Sequence, residues 1–181
     1  MNCIFKNRTI QQKKSSLGVS LILPCYSETD VFAGSVSRIV DVLRSSKLRY
    51  EIIFVDDGSR DGTQCLIKLT HFRAIYHQKN MGKGKTVADC IVAAKGTVVG
   101  YIDIDCEVGS EYIPQMVSII LQKKAYIVIG IRIYRTSAGS LVREILSRGC
   151  QWLNDVMIGT GKLDTEAGYK FFDRKKCTHF S

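Results

Sequence analysis

Three carboxylates at alternate positions are the strongest chemical signal in this chain. Asp103, Asp105 and Glu107 come at the end of an apolar, strand-like segment that begins at Val98. In an extended backbone, residues two apart point to the same side, so the three carboxylates would converge. Clustered carboxylates repel one another unless a cation or protons intervene, and oxygen ligands suit Mg²⁺ or Mn²⁺. We therefore predict a divalent-cation site here, with a solvated acidic turn as the alternative.

Two further polar clusters each follow an apolar run. The first is Pro24–Glu28, "PCYSE", and the second is Asp56–Thr63, "DDGSRDGT". Asp56 and Asp57 come directly at a strand end, where one could accept hydrogen bonds from a base or ribose while the other faces away. Ordinary turn chemistry is the alternative for this pair. Asp61 fits the cap of the following helix.

A glycine-rich stretch, Asn80–Thr86, precedes another helix. Its sequence "NMGKGKT" lets the backbone approach a ligand, and a helix N-terminus favours phosphate. A P-loop would need glycine five residues before Gly84, but Lys79 stands there, so that pattern fails. A flexible loop without a ligand is the alternative.

Two further candidates are weaker. Arg132 could hold a diphosphate or be surface charge, and the Asp164–Lys170 segment has a composition typical of functional loops.

The elements that must position these clusters alternate between strand and helix. Period-two and period-3.6 patterns predict five strands and five helices. The predicted strands are Val19–Leu23, Glu51–Val55, Arg73–His77, Val98–Ile104 and Ala125–Ile131. The predicted helices include Phe32–Leu43, Thr63–Leu69, Thr86–Ala94, Glu111–Leu121 and Leu141–Val156. This alternation predicts an α/β fold with a mainly parallel sheet, helices on both faces, and ligands at the carboxyl ends of the strands.

Bulk composition narrows the class of protein. The 181 residues suit one domain, and the net charge of +9 favours partners that carry phosphate. No apolar stretch of about 18 residues is present in the sequence. The seven cysteines form no Cys-x-x-Cys pair, which favours free thiols in a reducing compartment. The basic residues are not interleaved with aromatic ones, so we predict no nucleic-acid partner.

Taken in order, these clusters resemble the family 2 glycosyltransferases with the GT-A (Rossmann-like) fold. The matching segments are "VSLILPCYSE", "YEIIFVDDGSRDGT", "NMGKGKTVADCIVAAKGTVVGYIDIDCE" and "DTEAGYKFFDR", within residues 18–174. Within that family, the chain resembles polyprenyl-phosphate sugar transferases, such as dolichyl-phosphate mannose and glucose synthases. "DTEAGYK" resembles the "DTQCGFK" stretch of that subgroup, with Glu166 and Ala167 in place of Gln and Cys.

This resemblance implies a role for each matched residue. The nucleotide-binding set would be Pro24, Tyr26, Glu28, Asp56, Asp57 and Lys83. Asp103 and Asp105 match the family's Asp-x-Asp metal pair, and Glu107 would be a third ligand of Mg²⁺ or Mn²⁺. Arg132 would contact phosphate, and Asp164 would lie near the reacting acceptor.

The implied activity is inverting transfer of a sugar from a UDP- or GDP-sugar to a polyprenyl phosphate. The resemblance places it at the cytoplasmic face of a membrane, with peripheral membrane contact. Two alternatives stay open: a nucleotide-binding remnant without catalysis, and a P-loop NTPase.

We divide the chain into a basic flexible tail, residues 1–17, a glycosyltransferase domain, residues 18–174, and a non-family tail, residues 175–181. The last segment resembles nothing in the family, so a domain truncated at its C-terminus is expected. Phe171 and Phe172 should then lack their usual cover. A marginally stable protein that transfers no sugar would follow.

Overall fold

The computed structural model describes residues 17–106, 109–130 and 168–177, with only the backbone of Lys83 and Cys177. Within these ranges the strands are β1 (Val19–Cys25), β2 (Tyr50–Asp56), β3 (Arg73–Tyr76), β4 (Val98–Ile102), β5 (Ile127–Ile129) and β6 (Tyr169–Asp173). The helices are α1 (Thr29–Ser45), α2 (Thr63–Leu69), α3 (Lys83–Ala93), α4 (Ile113–Leu121) and α5 (Arg174–Cys177), with a 3₁₀ turn at Ser110–Tyr112 before α4. The predicted helix Leu141–Val156 lies outside the described residues.

The strands form one mixed sheet in the order β3-β2-β1-β4-β6-β5. The β3–β2, β2–β1 and β1–β4 pairs are parallel, whereas β6 runs antiparallel to both β4 and β5. The predicted α/β architecture is therefore confirmed, and its parallel part is the half that carries the polar clusters. β1 and β4 are neighbours although two other strands separate them in sequence, so the chain order reverses between them.

Period-two alternation along the strands separates the core into two layers. Leu21 and Phe54 face the layer that contains α1, α2 and α4, whereas Ile22 and Ile53 face the layer that contains α3. The five apolar positions predicted on α1 are all buried: Phe32, Val36, Ile39, Val40 and Leu43. Helices thus cover both faces of the sheet. No helix among the described residues is long and apolar enough to cross a membrane.

β6 was not predicted, and it changes the expectation for the C-terminal aromatic residues. Phe171 is 0% exposed, because its ring packs over Gly100 of the neighbouring strand β4. Tyr169 is also buried, with its ring centroid 5.5 Å from that of Phe171. Phe172 packs against the opposite layer and is partly buried. The expectation that Phe171 lacks cover is therefore wrong, since β6 lies inside the sheet between β4 and β5.

Candidate active site

A crevice opens at the carboxyl edge of the sheet between β1 and β4. The β1–β4 pairing ends at Ile22 and Tyr101, whereas β1 continues alongside β2 to Cys25. Pro24 therefore lies beyond the β1–β4 ladder, where its missing N–H interrupts no pairing on that side. Open α/β sheets bind ligands where the strand order reverses, and β1 and β4 are that point in this fold.

A cavity of about 330 Å³ occupies this crevice. Six of the predicted site residues line it: Pro24, Tyr26, Glu28, Asp57, Asp103 and Asp105. Asn80 and Thr86 also line it. We call this space the switch-point cavity. Three clusters that are far apart in sequence thus share one wall, as expected for the ends of parallel strands.

The acidic cluster after β4 reaches the cavity through a turn and not along a strand. β4 ends at Ile102, and the Cys106 N–H donates to the Asp103 carbonyl at 3.1 Å. Cys106 adopts a left-handed conformation, with φ of 52°, which closes the turn. The predicted strand Val98–Ile104 is therefore too long, and the extended backbone expected from Asp103 to Asp105 is wrong. Asp103 and Asp105 still line the same cavity.

Asp103 is held in place by its neighbours. Tyr101 donates its hydroxyl proton to Asp103 Oδ1 at 2.8 Å. The Asp103 N–H donates to the carbonyl of Gly168 at 2.8 Å, which ties the turn to the beginning of β6. Buried Tyr101 thereby orients one carboxylate oxygen of Asp103. No sequence pattern indicated this partner.

The negative charge of the cavity contributes to a raised pKa at Glu28. Burial, and then the charges of Asp105 and Asp103, raise the pKa of Glu28 above its usual value. Its backbone N–H donates to Thr63 Oγ1 at 2.9 Å, which fixes the loop after β1 against the start of α2. Three carboxylates that repel one another around an open cavity are the arrangement that a bound cation relieves.

These residues could supply part of the coordination shell of a divalent cation, with a substrate supplying other ligands. In the described part of the chain, no three His, Cys, Asp or Glu side chains form a ready-made metal cage. Mg²⁺ commonly binds through one or two carboxylates, with waters and substrate phosphates completing its shell. Asp103 and Asp105 provide such a pair, and Glu107 lies outside the described residues.

Asp56 is part of a closed turn at the end of β2. It is 0% exposed, and its Oδ2 accepts hydrogen bonds from Gly58 N at 3.2 Å, Ser59 N at 3.1 Å and Gln64 Nε2 at 2.7 Å. The other oxygen, Oδ1, is buried and has no hydrogen-bond partner among the described residues. Asp56 does not line the switch-point cavity, so its Oδ2 contacts favour the turn interpretation.

Asp57 anchors the loop that follows β3. Its Oδ1 accepts from Met81 N and its Oδ2 from Gly82 N, both at 2.9 Å. His77 Nδ1 lies 2.7 Å from Asp57 Oδ1. Burial acts to raise the pKa of Asp57, but the hydrogen bonds from His77, Met81 and Gly82 outweigh it and hold the pKa below its usual range. The glycine-rich stretch is therefore tied to β2.

Asp61 caps two helices at once, which extends its predicted role. Oδ1 accepts from the Thr63 N–H at 3.0 Å at the start of α2. Oδ2 accepts from the Thr29 N–H at 3.1 Å at the start of α1. The hydrogen bond from the Thr29 side chain is the main cause of the lowered pKa of Asp61, and together with hydrogen bonds from Thr63 it outweighs the opposing effect of burial. This carboxylate sets the positions of the loops after β1 and β2 relative to each other.

Not every predicted site residue falls within the described structure. Glu107, Arg132 and Asp164 lie outside it, and the Lys83 side chain is not described although its backbone begins α3. Conversely, His77, Tyr101 and Gln64 contact site residues but were not predicted. Their partners are distant in sequence or follow an unpredicted turn, so no local pattern identified them.

Comparison with known proteins agrees with this geometry. The family model described as "Glycosyl transferase family 2" matches residues 20–179. The chain belongs to this family. As a family 2 glycosyltransferase sequence it is 29% identical over 152 residues to a dodecaprenyl-phosphate galacturonate synthase of Rhizobium johnstonii, covering 80% of this chain and 43% of the relative. It is 25% identical over 185 residues to a dolichyl-phosphate beta-glucosyltransferase of Trichomonas vaginalis, covering 91% and 56%.

A solved structure shares the fold. The mannosyltransferase of Pyrobaculum calidifontis, solved in complex with GDP-Man and Mn²⁺, superposes with a TM-score of 0.63 at 16% identity. That match covers 92% of this chain and 47% of the other. The chain therefore spans about half the length of the curated relatives and of the solved structure that it matches.

Proposed function

We propose that this chain supplies the nucleotide-sugar site of a metal-dependent glycosyltransferase. The switch-point cavity supports this most directly, because it joins the loop after β1, Asp57 and the Asp103–Asp105 pair within about 330 Å³. The donor would be a UDP- or GDP-sugar. Pro24, Tyr26 and Glu28 would border the nucleotide, and Lys83 at the start of α3 would belong to the same set.

The metal would be Mg²⁺ or Mn²⁺, bound at Asp103 and Asp105 with Glu107 as a further candidate ligand. When bound, such a cation neutralises charge that develops on a diphosphate leaving group. Tyr101 would keep Asp103 in its orientation through the 2.8 Å hydrogen bond. The Mn²⁺ in the Pyrobaculum complex supports this choice of cation.

The acceptor would be a polyprenyl phosphate, reached at the cytoplasmic face of a membrane through peripheral contact. Both curated relatives carry a polyprenyl phosphate in their names, dodecaprenyl in one and dolichyl in the other. A phosphate acceptor is already an anion and needs no strong base for a single inverting displacement. A hydroxyl acceptor would need one, and Asp164 would then be the candidate. Arg132 would assist by contacting the donor phosphates.

Transfer of radiolabelled sugar to undecaprenyl or dolichyl phosphate, with Mn²⁺ and either UDP-glucose or GDP-mannose, tests the activity. Lipid-linked label that disappears in Asp103→Asn and persists in Asp41→Asn would support it, since Asp41 is an exposed α1 residue. Binding of the nucleotide sugar without transfer would favour a non-catalytic nucleotide-binding chain. ATP hydrolysis that depends on Lys85 would instead favour the P-loop alternative.

A further inference from the structure

His77 lies between two carboxylates, one of which, Asp57, lines the switch-point cavity. Its Nδ1 is 2.7 Å from Asp57 Oδ1, and its Nε2 is 3.2 Å from Asp89 Oδ2 on α3. The His77 side chain is 11% exposed and that of Asp57 is 7% exposed. One imidazole ring therefore connects the end of β2 to the middle of α3.

Both contacts require hydrogen donation from the ring, because an ionised carboxylate only accepts hydrogen bonds. A neutral imidazole has one N–H, so it can satisfy one of the two carboxylates, whereas the imidazolium satisfies both. Asp57 and Asp89 both have lowered pKa values. Hydrogen bonds from His77, Met81 and Gly82 outweigh burial at Asp57, and the Lys85 ammonium is the main cause at Asp89.

The charged groups around this ring come from several elements. Asp57 directly follows β2, Asp89 and Lys85 belong to α3, and Lys85 forms an ion pair with Asp89. Tyr76 of β3 and Lys79 of the following loop line the same open hollow beside the ring. The His77 N–H also donates to the Asp56 carbonyl at 2.9 Å, which fixes the backbone of His77 independently of the ring.

The segment that His77 secures forms one wall of the switch-point cavity. Asn80 lies in the loop between His77 and α3, and Thr86 lies in the first turns of α3. Asp57 holds Met81 and Gly82 through their N–H groups, and His77 joins this anchor to α3. Loss of one ring contact would therefore loosen that wall without removing any residue that lines it.

We propose that His77 is a positioning residue for donor binding: as an imidazolium bridging Asp57 and Asp89, it holds the 78–82 loop and α3 against the switch-point cavity. The inference rests on the proposed donor site. The affinity for the donor should therefore depend on the protonation of His77, a residue that does not itself line the cavity.

The test measures binding of UDP-glucose and GDP-mannose with Mn²⁺ by calorimetry between about pH 5 and about pH 8.5, which spans the range in which histidine charge commonly changes. The dissociation constant of the unaltered chain should rise about tenfold as pH rises, roughly the effect of losing one charge-assisted hydrogen bond. His77→Gln should bind weakly at pH 6 and show little change with pH. Asp89→Asn should move the midpoint of the profile to lower pH.

The matched control is His71→Asn, at an exposed position in the turn before β3 with φ of 58°, a conformation that asparagine tolerates. It should retain the profile of the unaltered chain. A profile of the unaltered chain that is as flat as that of His77→Gln would overturn the proposal, and so would an unmoved midpoint in Asp89→Asn.

A ¹⁵N NMR titration of the histidine rings separates this inference from the donor assignment. The His77 signals, assigned by their loss in His77→Gln, should show both ring nitrogens protonated at about pH 6. A ring that is neutral there contradicts the bridge whether or not any nucleotide sugar binds. A protonated ring in a chain that binds neither nucleotide sugar would retain the bridge but reject the donor site, and with it the proposed role of His77 in donor binding.

Discussion

The carboxylate of Asp103 lies directly against the α-carbon of Gly168. A Cβ placed on Gly168 would collide with Asp103 Oδ2, while the Asp103 N–H donates to the Gly168 carbonyl at 2.8 Å. The beginning of β6 thus forms the surface on which the candidate metal-binding turn rests. This contact explains why glycine, which has no Cβ, precedes Tyr169.

Gly168→Ala should displace Asp103 and weaken metal-dependent donor binding. Relieving an overpacked contact of this kind typically costs about 1–3 kcal/mol. We expect the dissociation constant of a Mn²⁺-dependent nucleotide sugar to rise about tenfold, given that about 1.4 kcal/mol corresponds to one factor of ten. The control is Gly34→Ala on α1, where a Cβ meets nothing within 4 Å. Equal affinity in the two variants would show that the Asp103 position does not matter for binding.

Asp56→Ala should lower the free energy of unfolding even when no ligand is present. The substitution leaves two buried backbone N–H groups, of Gly58 and Ser59, and the Gln64 amide without their acceptor. Gln64 Nε2 keeps a contact of 3.4 Å to the Ser59 carbonyl, so the two backbone N–H groups are the ones left unpaired. An expected loss of roughly 2–3 kcal/mol in the free energy of unfolding follows from these two groups. Urea denaturation of the nucleotide-free protein measures it. Unchanged stability with weaker nucleotide binding would instead support the ligand role that the sequence leaves open.

Asp57→Asn should destabilise the protein in a pH-dependent way. Because the folded state lowers the pKa of Asp57, this carboxylate contributes stability above its unfolded pKa, and that contribution is lost as pH falls through the folded value. The stability difference between Asp57→Asn and the unaltered chain should therefore be largest near neutral pH and shrink towards about pH 3. Thermal unfolding at several pH values measures the difference. A gap that is constant with pH would show that the charge of Asp57 is irrelevant to its anchoring role.

The sequence predicts the parallel half of the fold well, because its strands are regular and each ends in a recognisable turn. α2 begins and ends at the predicted residues, Thr63 and Leu69. β6 is not evident from the sequence because it is short and Lys170 interrupts its apolar residues, so it forms neither a continuous apolar run nor a regular alternation. Tyr169 and Phe171 enter one layer and Phe172 packs against the other, so apolar and polar residues do not alternate.

The residue types in the sequence indicate which side chains could gather at the cavity, but they do not indicate how the backbone brings them there. Asp103 and Asp105 do line one cavity, but a turn with Cys106 at φ of 52° brings them there. Such a conformation is uncommon for residues other than glycine, and no pattern in the neighbouring sequence predicts it here. No local pattern assigns a role to His77 for a related reason, since its partners Asp57 and Asp89 are separated from it by 20 and 12 positions.

We propose that the switch-point cavity binds a nucleotide sugar through a divalent cation held at Asp103 and Asp105. Calorimetry with UDP-glucose and GDP-mannose, in Mn²⁺ and then in EDTA, tests it most directly. We expect one of them to bind only with Mn²⁺, and Asp105→Asn to weaken that binding by roughly 1.5–3 kcal/mol, the usual worth of a charged contact. Equal affinity in Mn²⁺ and in EDTA, or binding of neither nucleotide sugar, would contradict the account.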